Sequence, residues 1–381
     1  MKRFSFISCL NICFGDQSVL DLPEILKQEH AQRVLLVSDH GLEKLGAVKK
    51  VQDIIKAAGL GCVEFLDVEA NPSIQTVKNA VKQFQSAKAD ALVALGGGSP
   101  MDVSKSVAIL ARYGGEPADY VGGGKVPGPV VPLVAIPTTA GTGSEVTAFS
   151  VITDTEKNYK ISIKDDRIVP KYALLDPQFI MTAPQSVAAS CGVDALIHAM
   201  EAYVSLRIDP VCEAFAEKAM QLLGRSIRPF VANRQNAAAA QDMLLGSALA
   251  GIAFTRAGLG NIHAMSHPVS AHFHVPHGVA NAILMPHIAA YNALTDNGKC
   301  RKIYEYVTGM PAPTAFNASM LAPVLAELNR ALGIPARLSD VGVTPDRIEA
   351  MADDAMKSGN IFTNPRQSTR ADIVRLYHEA L

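Results

Sequence analysis

Residues 91–102 read ALVALGGGSPMD, in which an apolar run leads directly into three glycines and a helix start. The run over residues 91–95 predicts a buried strand, and we expect Ser99 to cap the next helix with Pro100 at its first position. Three glycines allow backbone N–H groups to approach an anion at the positive end of that helix. The stretch therefore predicts a phosphate-binding turn, with a simple tight turn as the alternative. It is neither a Walker loop nor a GxGxxG fingerprint, because Met101 stands where the last glycine would be.

Strand and helix patterns alternate before this turn. Residues 33–38 and 62–68 have the apolar, β-branched composition of strands, and residues 42–60 between them follow a helical period. A further helix is predicted from Ser73 to about residue 88. Alternating strands and helices predict a parallel sheet with helical crossovers.

A second ligand-binding loop is predicted after the next strand, which covers residues 130–136. This loop is PTTAGTGSE, residues 137–145, whose hydroxyl groups and glycines are suited to phosphate or ribose. A solvated turn is the alternative, but its position after a second buried strand favours a nucleotide shared with the GGGS turn. Shorter strands are expected at residues 150–153, 160–163 and 173–175.

From residue 184 onward the sequence changes to amphipathic stretches without a convincing strand pattern. The predicted helices cover residues 185–205, 210–231, 237–256, 260–272, 279–295, 299–308, 314–332, 345–357 and 368–380. We therefore predict two domains, an α/β nucleotide-binding domain over residues 1–183 and an all-α metal-binding domain over residues 184–381.

The composition is that of a globular protein without a strong charge. Hydrophobic residues make up 49% of the chain and the net charge is −1, so we expect no attraction to nucleic acid or to an anionic membrane surface. No apolar run reaches the roughly 18 residues that a membrane span requires. The six cysteines form no CxxC pair, so we expect reduced thiols in the cytoplasm. The N-terminal MKRFSFISCLNICFGDQ lacks a cleavage site and is expected to form a first strand or hairpin.

Histidines concentrate in one stretch of the helical half. Residues 258–278, GLGNIHAMSHPVSAHFHVPHG, hold five of the ten histidines in the chain. His263 and His267 are four residues apart, and so are Asp194 and His198 in an earlier helix. Side chains at this spacing project from one face of a helix, so each pair is able to converge on one point. A polar loop that happens to be rich in histidine is the alternative.

His277 needs a change of chain direction to join this group. On one straight helix it would lie about 21 Å from His263, so Pro268 and Pro276 are expected to break or turn the chain between them. The resulting N₃O site consists of Asp194, His198, His263 and His277. Such a donor set suits Fe(II) or Zn(II) and leaves room for a substrate oxygen. A simple hydrogen-bonded pair is the alternative for Asp194 and His198.

Four motifs in this chain together resemble one known family. GGGSPMD, PTTAGTGSE, GVDALIHAMEAY and GLGNIHAMSHPVSAHFHVPHGVANAILMPH closely resemble the group III, iron-dependent alcohol dehydrogenases, in the right order and over nearly the whole chain. The resemblance implies a dehydroquinate-synthase-like fold with a nucleotide domain followed by a helical metal domain. It implies the same four metal ligands that the spacing indicates, and it places His267 beside the substrate as a non-ligand.

The resemblance also implies an NAD site in the first domain. The positions that match cofactor contacts of the family are Gly97, Gly98, Ser99, Thr138, Thr139, Thr142 and Lys160, with Asn71 and Val151 matching less strongly. It further implies that Asp39 accepts hydrogen bonds from the ribose hydroxyls, which favours NAD over NADP. Capping of the next turn is the alternative for Asp39.

These implications predict hydride transfer between nicotinamide and a short primary alcohol or its aldehyde. The metal ion is expected to act as a Lewis acid, with His267, or His277 through water, relaying the alcohol proton. Arg256 lies shortly before His263, and we hypothesise that it pairs with an anionic substrate such as an ω-hydroxy acid or sulfoacetaldehyde. A solvated helix face is the alternative for Arg256. His272 and His274 are expected outside the ligand set, and the N-terminal strand is expected to pair across a homodimer.

Two other functions are consistent with parts of the pattern. A lyase of the dehydroquinate synthase type would share the fold, the NAD and the metal. It would, however, need a pocket rich in Lys and Arg for a phosphorylated acid, and the metal region has few of these residues. A non-catalytic metal-binding protein would have no use for the nicotinamide loops.

Overall fold

The computed structural model describes residues 4, 6, 10–155 and 159–381. The first residues of the predicted N-terminal strand and Cys9 lie outside this part of the chain. Two compact units are present, an α/β unit of Phe6–Thr139 and Gly143–Ala183, and a helical unit of Pro184–Leu381 with Ala140–Thr142. The predicted fold class, an α/β unit followed by an all-helical unit, is confirmed.

A parallel sheet forms the centre of the α/β unit. In chain order, the described strands are β1 (Asn11–Phe14), β2 (Arg33–Val37), β3 (Gly61–Phe65), β4 (Ala91–Gly96), β5 (Gly122–Gly123), β6 (Leu133–Pro137), β7 (Phe149–Asp154), β8 (Tyr159–Lys164) and β9 (Tyr172–Leu175). The sheet has the order β1-β9-β6-β4-β2-β3, and all of its pairs are parallel. β4 and β6 are buried along their whole length, as expected for central parallel strands covered on both faces. β5, β7 and β8 form a separate small sheet.

Helices cover both faces of the parallel sheet. They are α1 (Leu22–Gln28), α2 (His40–Lys44), α3 (Ala47–Ala57), α4 (Ile74–Ser86) and α5 (Gly98–Tyr113). α1 and α3 pack on one face together with Leu36 and Val93, whereas α4 and α5 pack on the other together with Leu35 and Leu92. Adjacent residues of a strand thus enter opposite cores, because side chains alternate along a strand.

The chain changes direction in the sheet between β2 and β4. β3 and β4 lie on opposite sides of β2, and the helices that follow β2 and β4 cover opposite faces of the sheet. A crevice forms at such a switch point outside the carboxyl ends of the strands, and open α/β sheets bind their ligands there. Asp39 follows β2 and residues 97–99 follow β4, so both segments adjoin this crevice.

Two helix predictions in this unit were wrong. Residues 42–60 form part of α2 and then α3 instead of one helix, because Gly46 between them has a φ of 78°, which glycine adopts without steric penalty. Helix α5 begins at Gly98 with Gly97 as its N-cap, so Ser99 lies in the first turn and does not cap the helix. Glycine is a tolerated N-cap, and this allows the helix to extend further toward β4 than the serine signal predicted.

The helical unit has no strand among its described residues, as predicted. Its helices are α6 (Gln185–Val204), α7 (Pro210–Ala232), α8 (Ala237–Ala257), α9 (Asn261–Phe273), α10 (His277–Asn292), α11 (Lys299–Thr308), α12 (Leu321–Ala331), α13 (Ile348–Met356) and α14 (Arg370–Ala380). Pro268 lies inside α9 and does not break it, contrary to one of the two predictions for this stretch. Pro276 is the N-cap of α10 and is the proline at which the direction changes.

Two helices of this unit, α6 and α8, are long and apolar enough to span a membrane by length and composition. Most of each is buried inside the protein, 78% and 61% of the apolar window respectively. Core helices of soluble proteins have this character, because a helix that is apolar on all sides is stable when other helices surround it.

The beginning of α10 lies in close contact with α6. A Cβ atom at Gly278 would overlap the carbonyl oxygen of Ser190 and would lie 2.8 Å from its carbonyl carbon. Only glycine allows the two backbones to approach this closely. Because His277 is the first residue of α10 and Asp194 lies one turn after Ser190, this contact determines how near the two side chains are.

We expect Gly278→Ala to lower both the thermal midpoint and the affinity for a divalent metal, because the added methyl group would move α10 and His277 away from α6. Overpacking of this kind destabilises by about 1–3 kcal/mol. Gly224→Ala is the matched control, since its Cβ would overlap the backbone of Tyr306 where α7 meets α11. It should lower the thermal midpoint without changing metal affinity. Thermal melts and metal titration of chelator-treated protein test this, and an equal loss of affinity in both variants would contradict it.

Candidate metal centre and nucleotide site

Three predicted ligands come together in the helical unit. One ligating atom from each of Asp194, His263 and His277 lies within 4.8 Å of the other two. Asp194 Oδ1 is 3.6 Å from Nε2 of His263 and 4.0 Å from Nε2 of His277. Such separations suit atoms that share one ion at ligand distances of about 2.0–2.2 Å.

The three ligands come from three different helices. Asp194 lies in the middle of α6, His263 in the first turn of α9, and His277 at the start of α10. Asp194 and His263 are buried, whereas His277 is partly exposed. The cluster is therefore shielded from solvent at Asp194 and His263 and accessible to solvent at His277.

His198 lies one turn after Asp194 on the same face of α6, as its spacing predicts. Its ring stacks on that of His263 with centroids 4.6 Å apart, and on that of Phe254 in α8 at 4.4 Å. Nδ1 of His198 is 3.2 Å from the carbonyl oxygen of Gly141, which also belongs to the helical unit. An Nδ1–H that donates to this carbonyl leaves Nε2 with the lone pair that a ligand needs. His198 lies beside the group of three, and its role as fourth ligand stays a prediction.

Glu201 belongs to this centre, although the sequence analysis did not identify it. Its side chain is almost fully buried, with Oε2 2.6 Å from Nδ1 of His263 and Oε1 accepting from the N–H of Ile262 at 2.7 Å. A carboxylate on Nδ1 keeps a proton there, so Nε2, which faces Asp194, is the nitrogen that a metal ion would bind. The signal was present in the sequence, because Asp194, His198 and Glu201 are spaced i, i+4 and i+7 on one helix face.

Asn281 is a second residue that sequence reasoning missed. It lies one turn after His277 on α10, and its Nδ2 donates to Asp194 Oδ1 at 2.6 Å. The same nitrogen is 3.1 Å from Nε2 of both His263 and His277. Its Oδ1 is buried and has no hydrogen-bond partner among the described residues. A single amide nitrogen therefore lies within 3.1 Å of all three ligating atoms.

Burial and charge have opposite effects on the pKa values of this cluster. Burial alone would raise the pKa of Asp194, but the adjacent histidines hold it well below its usual range. Burial lowers the pKa of His198, which keeps that imidazole neutral. Burial would also lower the pKa of His263, but Asp194 and Glu201 raise it, so a metal ion must displace a proton there. An ionised carboxylate with imidazole nitrogens fits Fe(II) or Zn(II).

The other histidines of residues 258–278 differ in where they lie relative to the three ligands. The ring of His267 stacks on that of His277 with centroids 5.2 Å apart, and His267 is exposed. His272 lies 3.0 Å from Asp354, and His274 is the left-handed C-cap of α9. His267 thus lies beside the ligands, while His272 and His274 contribute no atom to the group of three.

Arg256 lies in the last turn of α8, and its charge acts on Cys212 of α7. Burial raises the pKa of the Cys212 thiol on α7 to about 12, and the charge of Arg256 opposes that rise, which places Arg256 near Cys212. Phe254, which stacks on His198, is two residues earlier and about 200° away around the helix. The substrate contact of Arg256 stays a prediction.

The predicted nucleotide residues of the α/β unit lie after neighbouring parallel strands. Asp39 follows β2, Gly97, Gly98 and Ser99 follow β4, and Thr138 and Thr139 follow β6. The segment after β4 and the segment after β6 are in close contact. A Cβ atom added to Gly97 would lie 3.1 Å from Oγ1 of Thr139. Asp39 Oδ1 accepts from the N–H of Leu42 at 3.0 Å, so the capping role kept as an alternative is present. The ribose contact of Asp39 stays a prediction.

Asn71, Val151 and Lys160 form a second group in the same unit. Lys160 donates to Asn71 Oδ1 at 2.7 Å, and the Val151 N–H donates to Asp102 Oδ2 at 3.1 Å. Burial lowers the pKa of Lys160, and the charge of Asp102 opposes this shift. Asp102, in the first turns of α5, therefore accepts a hydrogen bond from Val151 and interacts electrostatically with Lys160. Thr142 belongs to the segment Ala140–Thr142 of the helical unit.

Comparison with known proteins identifies the family of this chain. The family model described as iron-containing alcohol dehydrogenase matches residues 10–177, and the C-terminal model of the Fe-containing alcohol dehydrogenase family matches residues 188–381. The chain belongs to the iron-containing alcohol dehydrogenases. It is an oxidoreductase of the alcohol dehydrogenase type, and the resemblance carried by its four motifs is confirmed.

Individual relatives of this iron-containing alcohol dehydrogenase differ in their named substrates. The lactaldehyde reductase of Escherichia coli (strain K12) is 40% identical over 374 residues, which cover 96% of this chain and 97% of that protein. The solved structure of a 1,3-propanediol oxidoreductase superposes with a TM-score of 0.94 at 36% identity over 97% of both chains. Sulfoacetaldehyde reductase from Bifidobacterium kashiwanohense, solved in complex with NAD+, gives a TM-score of 0.89 at 27% identity over 100% and 99%. The names share a class of reaction and no single substrate, and none is a lyase.

We expect Glu201→Gln to weaken metal binding by about 10–100-fold, because an amide does not hold the Nδ1 proton of His263 as a carboxylate does. Glu217→Gln is the control, since Glu217 accepts from Tyr203 and Lys302 elsewhere in the helical unit. Competition of each variant with a chromophoric chelator for Zn(II) measures the affinities. An affinity for Zn(II) that stays at the wild-type value in Glu201→Gln would show that this carboxylate does not orient His263.

Proposed function

We propose that this protein is a dehydrogenase that depends on NAD and a divalent metal, and that it interconverts a short primary alcohol and its aldehyde. The observation that carries the proposal is the close approach of Asp194, His263 and His277, one ligating atom from each. At such a centre a divalent ion supplies Lewis-acid chemistry for a carbonyl or alkoxide oxygen, and NAD supplies the hydride carrier. Because polarisation of the oxygen activates the substrate, no strongly basic side chain is needed.

In this proposal the metal ligands are Asp194, His198, His263 and His277, with Fe(II) as the ion and Zn(II) as the alternative. The absence of a thiolate from this set and the mixture of imidazole and carboxylate support either ion. Glu201 and Asn281 support these ligands, Glu201 by fixing the tautomer of His263 and Asn281 by donating to Asp194.

His267 is the proposed route for the alcohol proton. Its ring stacks on that of His277, and its exposure lets a ring nitrogen exchange a proton with solvent at near-neutral pH. His277 acting through water is the second route that we retain. Either assignment makes these histidines the catalytic residues closest to the substrate oxygen.

The α/β unit is the proposed NAD site. The switch point between β2 and β4 supports it, because Asp39 and residues 97–99 adjoin the same crevice. The positive end of α5 and the glycine N–H groups suit the pyrophosphate. Asp39 would accept hydrogen bonds from the ribose hydroxyls, and its charge would disfavour a 2′-phosphate. The remaining proposed contacts are Thr138, Thr139, Thr142, Asn71, Val151 and Lys160.

The proposed assembly is a cytoplasmic homodimer. β1 lies at an edge of the parallel sheet, and Ile12 and Phe14 on this strand are exposed. An exposed apolar edge strand has unpaired backbone groups and is suited to pairing with a second copy of the chain. Small-molecule alcohols or aldehydes are the proposed partners, with neither nucleic acid nor a membrane involved.

Substitution of the metal ligands tests the proposed function. Asp194→Ala and His263→Ala should each abolish both bound metal and turnover, because each removes a buried ligand at the centre of the cluster. His272→Ala is the control, since His272 contacts Asp354 and lies outside the ligand group; it should keep both properties. Anaerobically purified protein is analysed for metal, and NADH oxidation with propanal is followed after reloading with Fe(II) or Zn(II). Full turnover in the metal-free protein would overturn the proposal.

An anionic substrate is the finer proposal for Arg256. If its guanidinium pairs with a carboxylate or sulfonate, Arg256→Ala should lower kcat/KM for an anionic aldehyde by about tenfold or more, without a similar loss for propanal. Steady-state kinetics with sulfoacetaldehyde and propanal measure the ratio. A parallel change for both aldehydes would remove Arg256 from substrate recognition.

A further inference from the structure

A short polar segment near the C-terminus, residues 363–368, adjoins the first turn of α9. It reads TNPRQS and lies between α13 and α14. Thr363 and Asn364 are polar but only 2% and 1% exposed. Buried polar groups need hydrogen-bond partners, and those of Thr363 and Asn364 include groups that lie 104 and 103 residues earlier in the chain. Neither the proposed metal ligands nor the proposed nucleotide contacts include either residue.

Helix α9 begins without a capping side chain of its own. Its N-cap is Gly260, which has no side-chain atom to offer to the first N–H groups of the helix. Asn364 Oδ1 instead accepts from the Asn261 N–H at 3.1 Å. Glu201 Oε1 accepts from the next N–H group, that of Ile262, at 2.7 Å. A Cβ atom at Gly260 would lie 2.8 Å from Asn364 Oδ1 and 2.9 Å from Glu201 Oε1, so these two oxygens lie where a capping side chain would be.

Other contacts attach the same turn to residues 363–368. Thr363 Oγ1 donates to the carbonyl oxygen of Leu259, just before the N-cap. Asn261 Nδ2, just after the N-cap, donates to Ser368 Oγ at 2.7 Å. A Cβ atom at Gly258 would lie 3.2 Å from Cγ2 of Thr363, so the two backbones also approach closely. The chain on both sides of the N-cap is therefore held by one distant segment.

The amide group of Asn364 is itself held in one orientation. Its Nδ2 donates to Asn292 Oδ1 at 2.9 Å and to the carbonyl oxygen of Arg366 at 2.7 Å. Its Oδ1 accepts from Asn292 Nδ2 at 3.1 Å in addition to the bond from α9. Both N–H protons and both lone pairs of this amide therefore have partners. Because Asn292 is the last residue of α10, Asn364 joins the end of the helix that starts at His277 to the beginning of the helix that carries His263.

The position of His263 depends on this turn. His263 lies two residues after Asn261, in the part of a helix that frays when its first N–H groups lack partners. Its Nε2 is 3.6 Å from Asp194 Oδ1, and a displaced turn would change this separation directly. Ligand distances of about 2.0–2.2 Å leave little tolerance for such a displacement. Loss of the cap should therefore weaken metal binding even at temperatures at which the protein stays folded.

We propose that Asn364, assisted by Thr363, is a positioning residue of the metal centre that caps α9 from a distant part of the chain and so holds His263 where the ion binds. This inference rests on the proposed metal site. Both residues act on the backbone of α9, and none of their hydrogen bonds among the described residues goes to a ligand side chain.

Asn364→Ala tests this role, because it removes the acceptor of the Asn261 N–H. We expect the affinity for Zn(II) to fall about tenfold, and the amide hydrogens at the start of α9 to exchange faster in metal-free protein. Asn364→Asp should keep an affinity near the wild-type value, since it retains the acceptor oxygen and places a negative charge at the positive end of α9. Thr363→Val is a milder second variant of similar shape, and it should lower the affinity about fivefold through the lost hydrogen bond.

Asn236→Ala is the matched control for a lost cap. Asn236 is the N-cap of α8, a helix that carries no proposed metal ligand, and its Oδ1 accepts from the Ala239 N–H at 3.1 Å. The variant should lower the thermal midpoint, because a helix without its cap is less stable. Its Zn(II) affinity and the exchange at the start of α9 should stay at the wild-type values.

Competition with a chromophoric chelator measures Zn(II) affinity, and hydrogen–deuterium exchange with mass spectrometry follows residues 258–265, both well below the thermal midpoints. Wild-type affinity in both Asn364→Ala and Thr363→Val would overturn the positioning role and leave the metal site standing. An equal loss of affinity in Asn236→Ala would also overturn it, because general destabilisation would then explain the effect. Failure of the wild-type protein to bind Zn(II) would overturn the positioning role together with the proposed metal site.

Discussion

The hydrogen bond between Glu201 and His263 is the interaction on which the arrangement of the metal centre depends. The 2.6 Å contact orients the ring and favours a proton on Nδ1, which leaves Nε2, the nitrogen that faces Asp194, for a metal ion. The fold makes room for this bond at Gly260, where a Cβ would lie 2.9 Å from Glu201 Oε1. Because Glu201 also accepts from the Ile262 N–H, the first turn of α9 is held in place by the same carboxylate that orients its histidine.

Helix α6 supplies both carboxylates of this centre from one face. Asp194 and Glu201 are separated by two turns, and both are buried among imidazole rings. Two carboxylates in an apolar interior need compensating positive charge, which protonated histidine or a divalent cation provides. The close approach of Gly278 to Ser190 then brings His277 to the same place, and Asn281 on the next turn of α10 contacts all three ligating atoms. The centre is therefore a product of how α6, α9 and α10 pack.

The α/β unit uses buried polar groups in a comparable way. Lys105 and Asp102 are directed at one hydroxyl group, that of Ser144, behind the glycine-rich loops, as Glu201 is directed at one imidazole. In both units a charged group that would be unfavourable in isolation is satisfied by hydrogen bonds of defined geometry.

The sequence by itself determined the features that local periodicity controls. Alternating apolar runs identified the parallel sheet and the helical second half, and the i, i+4 spacing of Asp194 and His198 placed both on one helix face, because helix geometry is a local property. Only the tertiary structure decided that Glu201 and Asn281 join the centre, that Pro268 stays inside α9, and that Lys105 reaches Ser144. Glu201, Asn281 and Lys105 have hydrogen-bond partners that lie 62, 87 and 39 residues away in the chain, respectively. Such contacts depend on how helices and loops pack against each other. Local propensity sets the elements, whereas the mutual approach of distant elements determines which polar side chains meet.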